Sequence, residues 1–181
     1  LGREADDFIA TAGAHRIRSR AVLMATGVTN NRPPMPDDVH DAAVGAGLLR
    51  YCPVCDGFEV TDRRVAVIGT GAHGLKEALF LRSYTADLTL IAPDGGHDLT
   101  TEQSLILDEA GIGIVAGPCS GIMIDGDRLA IETAAGRQVF DTAYPALGYV
   151  IHSDLATQLG CPTGEGGCMV VDAHQRTQIA G

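Results

Sequence analysis

The sequence predicts an α/β fold, with a parallel sheet and its covering helices continued by a β-meander and flanked by pieces of a second domain. Three observations carry this expectation. First, the apolar run Val65-Ala66-Val67-Ile68 leads into a glycine-rich turn, a helix-spaced segment and a second apolar run, Leu88-Thr89-Leu90-Ile91. Strands apolar at every position are buried on both faces, as in a parallel sheet. Second, Ile122-Met123-Ile124 and Leu129-Ala130-Ile131 flank Asp125-Gly126-Asp127-Arg128, a hairpin-turn signal. Third, Asn30-Asn31-Arg32-Pro33-Pro34-Met35-Pro36 reads as an extended linker, because proline fixes φ and removes a donor.

Taken in order, Asp7 to Ala25 reads as a hairpin. Phe8-Ile9-Ala10-Thr11 is one strand, Ala12-Gly13-Ala14 the turn, and Ala21-Val22-Leu23-Met24 a buried strand ending in Ala25-Thr26-Gly27. After the linker and the first sheet strand, Leu75 to Tyr84 is helical, with Leu75, Ala78, Leu79 and Arg82 at the spacing of one face. A further helix is expected from Thr101 to Ala110, ended by Gly111. Beyond the hairpin, Ala135-Gly136 turns into Gln138-Val139-Phe140, and Tyr144-Pro145-Ala146-Leu147-Gly148 closes the unit. Met169-Val170-Val171 is strand-like. The expected divisions are 1–31, 32–148 and 149–181.

Composition narrows the function classes. With 45% apolar residues and no Trp, the core must be built from Val, Ile, Leu and Ala. Acidic residues outnumber basic ones 23 to 13, for a net charge of −10, and no basic stripe appears, which argues against nucleic-acid binding. No apolar run approaches the roughly 18 to 20 residues that span a bilayer. Leu1-Gly2-Arg3-Glu4 has neither a basic nor an apolar leader region and no initiator Met, so the expectation is a processed product or a segment of a longer, cytoplasmic protein. Five cysteines without a secretion signal argue against a structural disulfide framework and for redox or metal chemistry at any close pair.

Two motifs carry chemistry. Gly69-Thr70-Gly71-Ala72-His73-Gly74 follows a buried strand and opens a helix, the setting in which G-x-G-x-x-G binds a dinucleotide. The first glycine makes the turn, the second admits a pyrophosphate, the third lets helix and strand pack, and the helix N-terminus offers free N–H groups. Asp94, twenty residues past Gly74, is placed to hold ribose hydroxyls. The bland reading is a glycine turn before a helix. His73, inside the turn, can touch phosphate or face solvent; His15, His40, His97, His152 and His174 show no ligand spacing and receive no role.

The second motif is Cys52-Pro53-Val54-Cys55-Asp56-Gly57. Cysteines three apart on a helical turn can reach the Cα separation of roughly 4.4–6.8 Å that a disulfide needs. Asp56, next in sequence, is placed to exchange a proton with a thiolate. A zinc site would need a second pair, and Cys161 and Cys168 stand too far apart in sequence for the usual spacing, so no metal is assigned. An inert buried pair is the other reading, and Cys119 reads as a small core residue.

CxxC-Asp-Gly with G-x-G-x-x-G twelve positions after Gly57 resembles the thioredoxin reductase-like family, class II of the pyridine nucleotide-disulphide oxidoreductases. Ala25-Thr26-Gly27 resembles that family's ATG element, Glu77-Ala78-Leu79-Phe80-Leu81 the helix after its glycines, Tyr144 to Gly148 its return strand, and Asp172, Arg176 and Thr177 the stretch before its Gly-Asp flavin motif. The resemblance implies a Rossmann-like NAD(P)H-binding domain, 32–148, between FAD-domain remnants. Electrons would pass from NAD(P)H through FAD to the Cys52–Cys55 disulfide and on to a thioredoxin-like protein or a small disulfide. Cys55 would face the flavin, Cys52 attack the substrate, Asp56 serve as acid/base, Gly69 to Gly74 and Asp94 hold the nucleotide, and Thr26 and Gly27 adjoin FAD. A homodimer is compatible with it, and the hinges of a swivelling nucleotide domain fall near Pro33-Pro34 and Gly148-Tyr149. Three departures modify this. No flavin G-x-G-x-x-G precedes Leu1 and the chain stops before the Gly-Asp motif, so FAD belongs to a longer parent and the chain alone is expected to be inactive. The family's basic cluster for NADPH is replaced by Ala92-Pro93-Asp94-Gly95-Gly96, which predicts NADH. Oxidation of small-molecule dithiols on the same fold and a non-catalytic nucleotide-sensing module are the alternatives.

Overall fold

Three short antiparallel strands open the chain in the computed structural model, which describes residues 1–181: β1 (Gly2–Glu4), β2 (Asp7–Ala12) and β3 (His15–Ser19). The β2–β3 turn is tight because Gly13 adopts φ +58°, a left-handed conformation open to glycine, and Ala12 faces His15 across it. This corrects the expected hairpin, whose second strand was Ala21 to Met24. That run joins no sheet and leaves Leu23 90% exposed. An apolar run becomes a strand only beside a free edge, and β2 is already paired by β1 on one side and β3 on the other. β4 (Val28–Asn30) follows.

From Asn30 to Gly148 the chain forms one compact unit, while Leu1–Thr29 and Tyr149–Gly181 form another. In the first of these, α1 (Asp37–Gly45) starts after Pro36 with Asp37 and Asp38 in its first turn, where carboxylates suit the positive helix end. Next come the short α2 (Pro53–Asp56), a 3₁₀ turn (Gly57–Val60), β5 (Val65–Gly69), α3 (Gly71–Leu81), β6 (Leu88–Ile91), α4 (Thr101–Glu109) and β7 (Gly113–Val115). α4 is capped as its sequence demands: Thr100 Oγ1 accepts from Gln103 N, and Gln103 Oε1 accepts from Thr100 N. The meander β8 (Gly121–Asp125), β9 (Arg128–Thr133) and β10 (Gly136–Phe140) precedes β11 (Thr142–Ala146).

The parallel sheet has the order β11-β5-β6-β7, and the meander forms a separate antiparallel sheet β10-β9-β8. β5 is buried at all five positions, as its unbroken apolar run requires. Ala66 and Ile68 point into a core shared with Ala43, Ile122, Leu129, Ile131 and Phe140 under α1 and the meander. Val65 and Val67 point the other way, to Leu75, Ala78 and Leu81 of α3 and Leu107 of α4. The architecture is therefore α/β with a parallel sheet between helices and meander.

α3 starts four residues before its expected first residue and ends at Leu81. Its buried stripe is Gly74, Leu75, Ala78 and Leu81, with Leu79 left outside. The close seating of Gly74 on the sheet sets this rotation. In the other unit, β12 (Tyr149–Ile151) and α5 (Asp154–Gln158) follow. The strand expected at Met169 to Val171 reduces to one bridge between Thr163 and Met169. No helix is long and apolar enough to cross a membrane.

Candidate functional site

Cys52 and Cys55 form a disulfide with a Cα–Cα distance of 5.2 Å. Cys52 caps α2 and Pro53 occupies its first position, where the missing N–H costs nothing. The N–H groups of Cys55 and Asp56 both donate to Cys52 O, at 2.8 and 3.2 Å, so the turn that brings the sulfurs together is closed by its own backbone. Cys55 is exposed and Cys52 half-buried. Gly57 lets this turn lie against the end of α3: a Cβ there would stand 3.0 Å from the ring of Tyr84, just past the helix, and 3.6 Å from Leu81 Cδ2.

Asp56 is held by groups that the sequence reading did not single out. The Tyr144 hydroxyl donates to Asp56 Oδ1 at 2.7 Å, and Arg50 Nη1 lies 3.2 Å from Asp56 Oδ2. Arg50 also donates to Glu59 Oε2 at 2.7 Å and to Gly47 O at 2.9 Å. Burial pushes the Tyr144 hydroxyl well above its usual pKa, and its bond to Asp56 adds to this, so it remains a donor. Burial works against the charge of Arg50, but the bonds to Glu59 and Asp56 outweigh it. Arg50 could have been suspected from its place two residues before Cys52. Tyr144, 88 residues from Asp56, gave no local signal.

The glycine turn has the packing a dinucleotide requires. A Cβ at Gly69 would lie 2.8 Å from Ala146 Cβ, and one at Gly74 would lie 3.0 Å from the Gly69 carbonyl carbon and 3.2 Å from Leu90 Cδ1. Gly71 adopts φ +59°, and α3 begins there with no side chain capping it, leaving its first N–H groups for an anion. Thr70 and Ala72 complete the turn. These features fit a pyrophosphate. One neighbour opposes it: Asp98 N donates to Thr70 Oγ1 at 2.7 Å, and Asp98 O lies 3.3 Å from where a Gly71 Cβ would be. Asp98 is thus an acid set against the glycine turn. Asp94 is exposed on the loop after β6, where its charge helps burial push the Cys119 thiol up to about 11.

His73 faces outward, with Nε2 4.0 Å from Glu77 Oε2. Glu77, unremarked as an acid in the sequence, is pushed up to about 7 by burial, and its Oε2 has no hydrogen-bond partner. His97, given no role, bonds through Nε2 to Val115 O at 2.8 Å and buries Nδ1 without a partner. In the other unit, Thr26 and Gly27 are tied to His152: the Thr26 hydroxyl donates to His152 O, and Gly27 O accepts from His152 N.

The chain is similar in sequence to known thioredoxin reductases. It is 35% identical over 74 residues to a thioredoxin reductase of Streptomyces coelicolor, covering 41% of this chain and 22% of that protein. It is 26% identical over 183 residues to a thioredoxin reductase of Listeria innocua, covering 94% of this chain and 55% of that protein. The crystal structure of HlmI superposes with a TM-score of 0.79 at 29% identity, over 92% of this chain and 51% of that one. The chain therefore spans about half the length, or less, of these relatives. The family model for pyridine nucleotide-disulphide oxidoreductases matches residues 3–181. The chain belongs to the pyridine nucleotide-disulphide oxidoreductase family.

Proposed function

We propose that the chain carries the nucleotide turn and the redox pair of a thioredoxin reductase-like enzyme that reduces the disulfide of a thioredoxin-like protein or a small compound. The observation that carries the reading is the disulfide closed across three residues at a partly exposed turn, in the same unit as the strand, glycine turn and helix of a dinucleotide site. When bound, NAD(P)H would supply a hydride and FAD would relay its electron pair toward the disulfide. Within this chain, Gly69 to Gly74 and the first N–H groups of α3 would receive the pyrophosphate. Thr26 and Gly27 would shape the FAD side through their backbone, since the hydroxyl and the carbonyl are already taken by His152.

In the reduced chain, the Cys52 thiolate attacks a partner disulfide, forms a mixed disulfide and releases one partner thiolate. The Cys55 thiolate then displaces the second, reforming Cys52–Cys55; two electrons leave with the partner, and the two protons come from solvent, with Asp56 as the relay beside the pair. The resemblance assigns Cys52 to the substrate and Cys55 to the flavin. No Lys or Arg lies between Ala92 and Asp98, and Asp94 and Asp98 would repel a 2′-phosphate, which favours NADH over NADPH. A second reading, oxidation of small dithiols by the same pair with the electron pair passed through a flavin to an external oxidant, is favoured by the place of Asp98 against Gly71, since such a reaction needs no nicotinamide nucleotide. Titrating the chain with NADH and NADPH, followed by nucleotide fluorescence, tests the choice. Tighter NADH binding is expected. Tighter NADPH binding rejects the preference, and no binding to either the wild type or Asp98→Ala rejects the nucleotide site.

A further inference from the structure

Both oxygens of the Asp56 carboxylate are engaged, one by Tyr144 and one by Arg50. The two groups come from different parts of the chain. Tyr144 stands on β11, fully buried, in register with Val67 of β5. Its ring is fixed by the core, so its hydroxyl points to one place. Arg50 lies ahead of α2 with its side chain 18% exposed; its Nη1 is shared between Asp56 and Glu59, and its Nε donates to Gly47 O. A buried tyrosine hydroxyl must find a partner, and a backbone carbonyl would satisfy it. Here the partner is the acid directly after the second redox cysteine.

We propose that Tyr144 and Arg50 are positioning residues, which together hold the Asp56 carboxylate in one orientation at the position directly after Cys55. This rests on the reading of Asp56 as the proton-exchanging neighbour of the pair. A carboxylate next to a thiolate raises the thiol's pKa by like-charge repulsion, and a cation or strong donor on that carboxylate reduces the effect. The clamp therefore favours thiolate at neutral pH. The groups facing Asp56 are Arg50 and Tyr144, with Glu59 across Arg50 and Tyr84, just past the end of α3, beyond Gly57. Glu59 leaves Arg50 shared between two acids, so the Tyr144 hydroxyl, with Asp56 as its sole side-chain partner, is the cleaner group to remove.

The test uses the whole chain, reduced with dithiothreitol and freed of reductant. Alkylation of Cys52 and Cys55 by iodoacetamide is followed by peptide mass across the range around the ordinary thiol pKa of about 8.5. Tyr144→Phe and Arg50→Gln should each raise the midpoint by about half a pH unit, slowing alkylation at neutral pH about threefold. Asp56→Asn should lower the midpoint, and adding Tyr144→Phe to it should change nothing further. If Tyr144→Phe and Arg50→Gln superpose on wild type while Asp56→Asn shifts, the positioning role is overturned and the reading of Asp56 stands. A Tyr144→Phe shift that persists in the Asp56→Asn background overturns it equally. If Asp56→Asn itself leaves the profile unmoved, both fall. A lowered melting temperature with an unmoved profile counts as a structural role only.

Discussion

Glu77→Gln isolates one buried charge whose effect on stability can be worked out from the structure. Burial raises this carboxyl from its usual value near 4.5 to about 7, and its Oε2 has no partner to offset the lost hydration. Between these values the unfolded chain has released the proton and the folded chain still holds it. Stability is therefore fully present below pH 4.5, falls as pH rises, and levels off above about pH 7. A rise of about 2.5 pH units corresponds to about 3 kcal/mol at full strength. Glu77 keeps 19% of its side-chain surface, and solvent screening brings the expected loss to about 1–2 kcal/mol. Glutamine has nearly the same shape and no charge, so the variant should not show this loss. Urea unfolding of both proteins, monitored by far-UV circular dichroism at mildly acidic and mildly alkaline pH, cancels every other titrating group. The variant should gain about 1–2 kcal/mol on wild type as pH rises, a midpoint difference of about 0.5–1 M urea. A pH-independent difference would refute the burial argument.

Other outcomes follow from the same geometry. Gly74→Ala places a methyl 3.0 Å from the Gly69 backbone, which cannot yield as a side chain does, and should cost about 1–3 kcal/mol in urea unfolding while weakening NADH binding. Asp98→Ala removes a carboxylate beside the glycine turn and should tighten NADH binding several-fold by fluorescence titration. Unchanged affinity would show that the Asp98 charge does not reach the bound nucleotide. Cys55→Ser should trap a mixed disulfide on Cys52 with a thioredoxin-like substrate, detectable by mass. Trapping only with Cys52→Ser would reverse the roles of the two sulfurs, an outcome that the greater exposure of Cys55 makes worth checking.

How much was legible follows from how local each feature is. The strand Val65–Gly69, its glycine turn and the Asp125–Arg128 hairpin are written in adjacent residues, and the structure has them there. Helix α1 is not legible in the sequence because it buries only His40 and Ala43, too thin a stripe to read, although Asp37-Asp38 after Pro36 marks its start. β7 has three residues and exists only because β6 offers an edge. Ala21 to Met24 failed as a strand for the converse reason. At the site, the disulfide is an i, i+3 contact and could be read. The Tyr144–Asp56 bond depends on the parallel pairing of β11 with β5, which no local pattern encodes. Asp98 stands against Gly71 through the loop after β6, a placement that residue spacing from the glycines does not encode.

The midpoint potential of the Cys52–Cys55 couple in the intact chain, equilibrated against dithiothreitol redox buffers and read by alkylation, tests the central claim most directly. A pair that passes electrons to a partner disulfide should sit near the thioredoxin range, about −270 mV. A pair that stays oxidised below about −300 mV, or thiols that resist alkylation in the folded chain, would mark these sulfurs as structural and contradict the account.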